Sequence, residues 1–144
     1  IARNFEDILA INYDSDNINF VIPDVFYTED VFLIPIEDYI KRIYYNTKMD
    51  LHSLIIAVIL IDSMCENRSY IICWQNIYRL ILAGCVLSIQ FNEDIIFSKD
   101  AYAEIGSTPK NILNEIIYQL FEYLDFRLLV KEDVFQKFFK FLSK

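Results

Sequence analysis

The sequence predicts an all-α domain built round one buried helix, and three observations carry that prediction. Only two glycines and three prolines occur among 144 residues, which leaves few turn-formers for a barrel or sandwich with many hairpins. Along most of the chain from Pro35, apolar residues recur at spacings of three and four, the period of a helix face. From Leu80 to Phe91 there is no charge at all, and a helix apolar nearly all round escapes water only when other protein wraps it. That run is roughly half of the ~20 apolar residues a membrane crossing needs. It is interrupted by Ser88 and Gln90 and bounded by Arg79 and Glu93, so it reads as a core helix.

The elements follow in order. Residues 1 to 12 form a short helix with Phe5, Ile8, Leu9 and Ile11 on one face, and the polar stretch from Asn12 to Asn19 breaks it. Between Phe20 and Pro35, the prolines at 23 and 35 favour an extended, irregular arm. Pro35 suits a first helical turn, after which Ile36, Tyr39, Ile40 and Ile43 keep helical register to Asn46. Asp50 caps the second main helix, whose residues from Leu51 to Met64 leave little polar face before Glu66 and Asn67. The third runs from about Gln75 to Asn92. Ser98 caps a short fourth, which passes Ala101, Tyr102 and Ile105 and ends at Gly106. Thr108 and Pro109 open a fifth, in which Ile112 with Leu113, Ile116 with Ile117 and Leu120 with Phe121 step by four towards Leu124. A last amphipathic helix spans Lys131 to Leu142, with Glu132 and Asp133 in its first turn and lysines near its end, as the helix dipole favours. Its face of Val134, Phe135, Phe138, Phe139 and Leu142 packs against the bundle rather than a membrane. The organisation is therefore a helix with an arm over 1–34 and a bundle with a closing helix over 35–144.

Charge and chemistry narrow the function. A net charge of −8 opposes nucleic acid as a partner, because affinity for a phosphate backbone comes mostly from Lys and Arg. Cys65, Cys73 and Cys85 are odd in number and match no zinc or redox spacing, which points to reduced thiols in an intracellular setting, nuclear or cytoplasmic. The start at Ile1 reads as an excised domain. Catalysis needs acid–base groups or a nucleophile held together. The chain offers one histidine, His52, in a helix first turn, with no glycine-rich phosphate loop and no metal-spaced ligand cluster. No enzyme activity, metal or cofactor is expected. Asp62 interrupts an apolar run near the end of the second helix, and a buried carboxylate needs a partner. Arg79, at the start of the third, is the expected one in a helix hairpin, as a structural clamp.

Several stretches together carry a resemblance: IEDYIKRI at 36–43, LIIAVILID at 54–62, NIYRLILAGCVLSIQFNED at 76–94, DAYAEIG at 100–106 and ILNEIIYQLFEYLDFRLLV at 112–130, followed by a phenylalanine-rich closing helix. Their order and gaps resemble the cyclins, in particular the P/U-type cyclins of the yeast phosphate-response kind. The resemblance implies a single cyclin box, a five-helix bundle around a buried third helix, with flanking N- and C-terminal helical segments. It also implies a protein without catalytic residues that binds a cyclin-dependent kinase and holds the kinase's regulatory helix in its active position.

By position, the implied kinase-binding residues are Leu87, Gln90, Phe91, Ile117, Phe121, Phe126 and Leu128. Gln90 stands where many cyclins carry a lysine and Ile117 where they carry a glutamate. Ser107 replaces a usual second glycine after Gly106, and Ser63 replaces the arginine that commonly follows the Asp62 position. The alternative reading is a cyclin-fold interaction domain that does not bind a kinase. Nucleic-acid adaptors of the transcription factor IIB kind share the fold but usually need basic surface.

Overall fold

The computed structural model describes residues 1–13, 23–30 and 32–143. The described residues form helices and no strand: α1 (Ala2–Tyr13), α2 (Ile36–Thr47), α3 (Leu51–Arg68), α4 (Ile77–Asn92), α5 (Lys99–Ile105), α6 (Lys110–Tyr123) and α7 (Glu132–Leu142). The polar break expected after Asn12 falls largely outside the described residues. What is described of the arm, 23–30 and 32–35, is irregular backbone, as its prolines require.

The centre is α4. From Ile77 to Ile89 only Arg79 escapes full burial, and α2, α3 and α6 pack round it. Each fully buried Leu or Ile contributes about 1.5–3 kcal/mol relative to exposure, so this helix supplies much of what holds the bundle together. The polar atom in its middle is satisfied: Ser88 Oγ donates to the Ser53 carbonyl at 2.7 Å. That bond also sets α3 and α4 antiparallel, with the α4 C-terminus beside the α3 N-terminus. Midway along, a side chain at Gly84 would sit 3.0 Å from Ile61 Cδ1 and 3.3 Å from the Ala57 carbonyl oxygen, so glycine lets the two backbones approach.

Arg68 fixes the direction of α6. At the end of α3 its Nε donates to the Tyr123 carbonyl at 3.1 Å, and its Nη2 pairs with Asp125 Oδ1 at 3.1 Å. The C-terminus of α6 therefore lies at the α3 C-terminus, and α6 runs antiparallel to α4. The closing helix lies along α3, where the Phe135 ring stacks on exposed His52 with centroids 4.4 Å apart.

The N-terminal residues join the same core. Phe5 and Leu9 of α1 are buried, and so is Phe26 of the arm. Asp24 anchors that arm: Oδ1 accepts from the Phe26 amide and the Tyr70 hydroxyl, each at 3.0 Å, and Oδ2 accepts from the Tyr123 hydroxyl at 3.0 Å. Burial first, and then the charge of Asp24 and its hydrogen bond, raise the pKa of the Tyr70 hydroxyl, so its proton stays in place as a donor.

The Asp62–Arg79 clamp does not form. Arg79 Nη1 donates to the Val25 carbonyl at 3.0 Å and so holds the arm, while Asp62 is exposed on α3. The reason is helical phase: Asp62 falls on the stripe of α3 turned away from the hairpin, and Arg79 on the side of α4 that meets residues 23–30. The arginine that ties α3 to another helix is Arg68.

Candidate functional site

The residues that the resemblance assigns to a partner surface fall along the antiparallel pair of α4 and α6. Leu87 and Ile117 are buried, at 6% exposure each, so they floor this strip and do not stand on it. Gln90 is half-buried at the end of α4, and Phe91 next to it is 53% exposed. At the far end, half-buried Phe121 meets Phe126 edge to face, with ring centroids 4.9 Å apart, and Phe126 is 54% exposed. Leu128 packs half-buried against the core. Because α4 and α6 run in opposite directions, Phe91 and the Phe121–Phe126 pair mark opposite ends. The 16 residues of α4 make that helix about 24 Å long.

The turn that presents Phe126 has an unusual backbone. Asp125 and Phe126 have φ of 53° and 60°, a left-handed region costly for side chains with a Cβ. Three contacts hold it: the Phe126 amide donates to the Phe121 carbonyl at 2.9 Å, Asp125 pairs with Arg68, and the Arg68 guanidinium lies over the Tyr123 ring at 5.2 Å. An aromatic residue held exposed on strained backbone is a feature of binding surfaces. Sequence reasoning missed Arg68 and Asp24 as the residues behind this turn, because their partners lie more than 45 positions away.

The titratable groups in the core are not primed for chemistry. Burial pushes the Cys65 and Cys85 thiols up to about 12 and raises Cys73 as well, which holds them protonated and weakly nucleophilic. Among the described residues, no three His, Cys, Asp or Glu side chains gather as metal ligands, and no helix is long and apolar enough to cross a membrane.

Comparison with known proteins gives this geometry a family. The cyclin family profile matches residues 12–128, which takes in α2 to α6 and the Phe126 turn. The chain belongs to the cyclin family. Its cyclin box comprises α2 to α6, with the buried α4 as the third box helix. Among curated relatives, Cyclin-U2-1 of Arabidopsis thaliana is 24% identical over 115 residues, covering 79% of this chain and 52% of that protein. Cyclin-U3-1 of the same plant is 28% identical over 138 residues, covering 94% and 62%. PHO85 cyclin-7 of Saccharomyces cerevisiae is 30% identical over 80 residues, covering 56% and 28%. The chain is thus similar to P/U-type cyclins, and it spans about half the length of the first of these relatives.

Proposed function

We propose that this cyclin is the non-catalytic regulatory subunit of a cyclin-dependent protein kinase, working inside the cell, and that it binds the kinase along the α4–α6 strip. The observation that carries the reading is the pair of exposed aromatic residues at opposite ends of the strip, Phe91 on the last turn of α4 and Phe126 on the turn that follows α6. That placement suits an elongated element such as the kinase's regulatory helix laid across the strip. Well-packed aromatic anchors commonly dominate binding energy, and rigid presentation lowers the entropy lost on association. The core-packed α4, buried from Ile77 to Ile89 except at Arg79, supplies that rigidity. In activation the cyclin supplies no reacting group; it holds the kinase helix so that the kinase's own Lys–Glu pair and metal-binding residues align.

Two substitutions tune the choice of kinase. Gln90 and Ile117 replace a lysine and a glutamate that the family resemblance leads one to expect. A kinase built for those charges leaves a desolvated group unpaired here, at a cost on the order of 2–5 kcal/mol. The partner therefore offers neutral or apolar groups opposite Gln90, above the apolar floor that buried Ile117 helps to form, and specificity comes from exclusion. The same substitutions favour, as the second reading, an interaction domain that has lost its kinase. Affinity purification of the full protein from its source cell, with mass spectrometry and a kinase assay of the retained material, separates the two. A retained kinase whose activity rises on adding this protein supports the first reading; retained proteins without a kinase support the second.

A further inference from the structure

A second surface lies elsewhere on the molecule. Between α1, the outer face of α3 and the end of α7 opens a cleft of about 270 Å³, and none of the α4–α6 strip residues lines it. Phe5, Val58 and Ile61 line its walls, and Ile8 and Phe141, 40% and 63% exposed, form its rims. Asp62 is the one acidic or basic side chain among the lining residues. It enters no ion pair among the described residues. One turn on, Glu66 adds like charge; partial desolvation and, after it, Glu66 raise the Asp62 carboxyl above the usual range. Arg127 and Lys131 line the neighbouring cleft with Asp62 and Glu66, and neither pairs with them within salt-bridge distance.

These features select the occupant. At about 270 Å³ the cleft lies at the lower edge of the roughly 300–1,000 Å³ of pockets for drug-sized ligands, a size that suits a few side chains of a peptide. Covering Asp62 with apolar groups alone would bury an unpaired carboxylate, which is strongly unfavourable. A second copy docking two-fold through this face would set the same acidic patch against itself, with a net charge of −8 on each chain. An anionic membrane surface is repelled for the same reason. We propose that the α1–α3–α7 cleft docks a short segment of a partner protein that places a lysine or arginine on Asp62 and apolar side chains between Ile8 and Phe141. The site is independent of the α4–α6 reading and stands or falls without it.

The test is selection of a random dodecapeptide display library on the full protein, followed by titration of enriched peptides against wild type, Asp62→Lys and Phe141→Ala. Both positions are exposed, and a melting curve checks that each variant folds. The expected result is enrichment of peptides with Lys or Arg beside apolar residues, with affinity falling at least tenfold in each variant. A library with no enrichment, or peptides that bind Asp62→Lys as well as wild type, overturns the proposal. Wild-type protein that sediments as a dimer, with Phe141→Ala sedimenting as a monomer, points to self-association through this face and overturns it as well.

Discussion

Replacing Gly106 with alanine tests how tightly the box is packed. Gly106 has φ of −85°, so the substitution meets no backbone penalty. The cost comes from space: an added Cβ would stand 2.4 Å from Leu82 Cδ2 and 2.6 Å from its Cδ1. Leu82 is 1% exposed in the middle of α4 and has nowhere to turn. The backbone at 106 is pinned too, because its carbonyl accepts from the Tyr39 hydroxyl at 2.9 Å and Thr108 Oγ1 at 3.0 Å, both buried. Overpacking of this kind costs about 1–3 kcal/mol, and either pinning bond, if broken by a shift, adds about 1 kcal/mol. For a chain of this length each kcal/mol lowers the melting point by about 2–4 °C, so overpacking alone should make Gly106→Ala melt about 2–12 °C below wild type by circular dichroism, and a broken pinning bond would lower it further. A double-mutant cycle isolates the cause. Leu82→Ala costs about 2–5 kcal/mol alone, yet in that background Gly106→Ala should become nearly neutral. An undiminished penalty there, or an unchanged melting point for the single variant, would refute the packing argument.

Three other outcomes follow from the same geometry. Ser107 has φ of 51°, where a side chain costs about 1–2 kcal/mol; glycine's greater freedom in the unfolded chain offsets part of that, and Ser107→Gly should raise the melting point by a few degrees at most, in differential scanning calorimetry. Asp62 is held above the usual carboxyl range, so the folded state keeps its proton to higher pH than the unfolded state does, and ionisation opposes folding. Asp62→Asn should therefore melt slightly above wild type at pH 7, with the gap closing as pH falls through the ordinary carboxylate range near about 4; a gap that widens in acid would contradict this. Arg68→Ala removes the half-exposed pair with Asp125 and two carbonyl contacts, which should cost about 1 kcal/mol and broaden the amide signals of Asp125 and Phe126 in NMR spectra.

What the sequence made legible was the set of helices, because each buries a face and burial leaves a period. The expected third helix, Gln75 to Asn92, is α4 at Ile77–Asn92, and Ser98 caps α5 by accepting from the Ala101 amide at 3.2 Å. Asp50 occupies the N-cap of α3, although its side chain makes no capping bond. Turn chemistry was less legible. Gly106 ends α5 as expected, but with φ of −85°; the left-handed conformation is taken by its neighbour Ser107 and by Lys48, Ser69, Asp125 and Phe126. Both glycines serve close packing, against Ile61 and Leu82.

Polar partnerships were the least legible part. Asp62 and Arg79 are near each other along a hairpin, and proximity in sequence order says nothing of which way each side chain points round its helix. Asp24, in a stretch read as a loose arm, instead joins Tyr70 and Tyr123 from two other elements. At the candidate site, composition marked Phe91, Phe121 and Phe126 as apolar without distinguishing exposed from buried. The fold makes that distinction: Leu87 and Ile117 lie beneath the surface on which the phenylalanines stand. A glutamate at 117 would now disturb the core, so the surface is better probed at its exposed ends.

The most direct measurement is an isothermal titration of the kinase recovered with this protein against wild type, Phe91→Ala and Phe126→Ala. Both side chains are more than half exposed, so their loss should leave the melting point nearly unchanged. Kinase binding along the α4–α6 strip predicts that at least one variant loses about 2 kcal/mol or more, roughly a thirtyfold weaker Kd. Wild-type affinity in both variants would contradict the account and remove this strip as the kinase site.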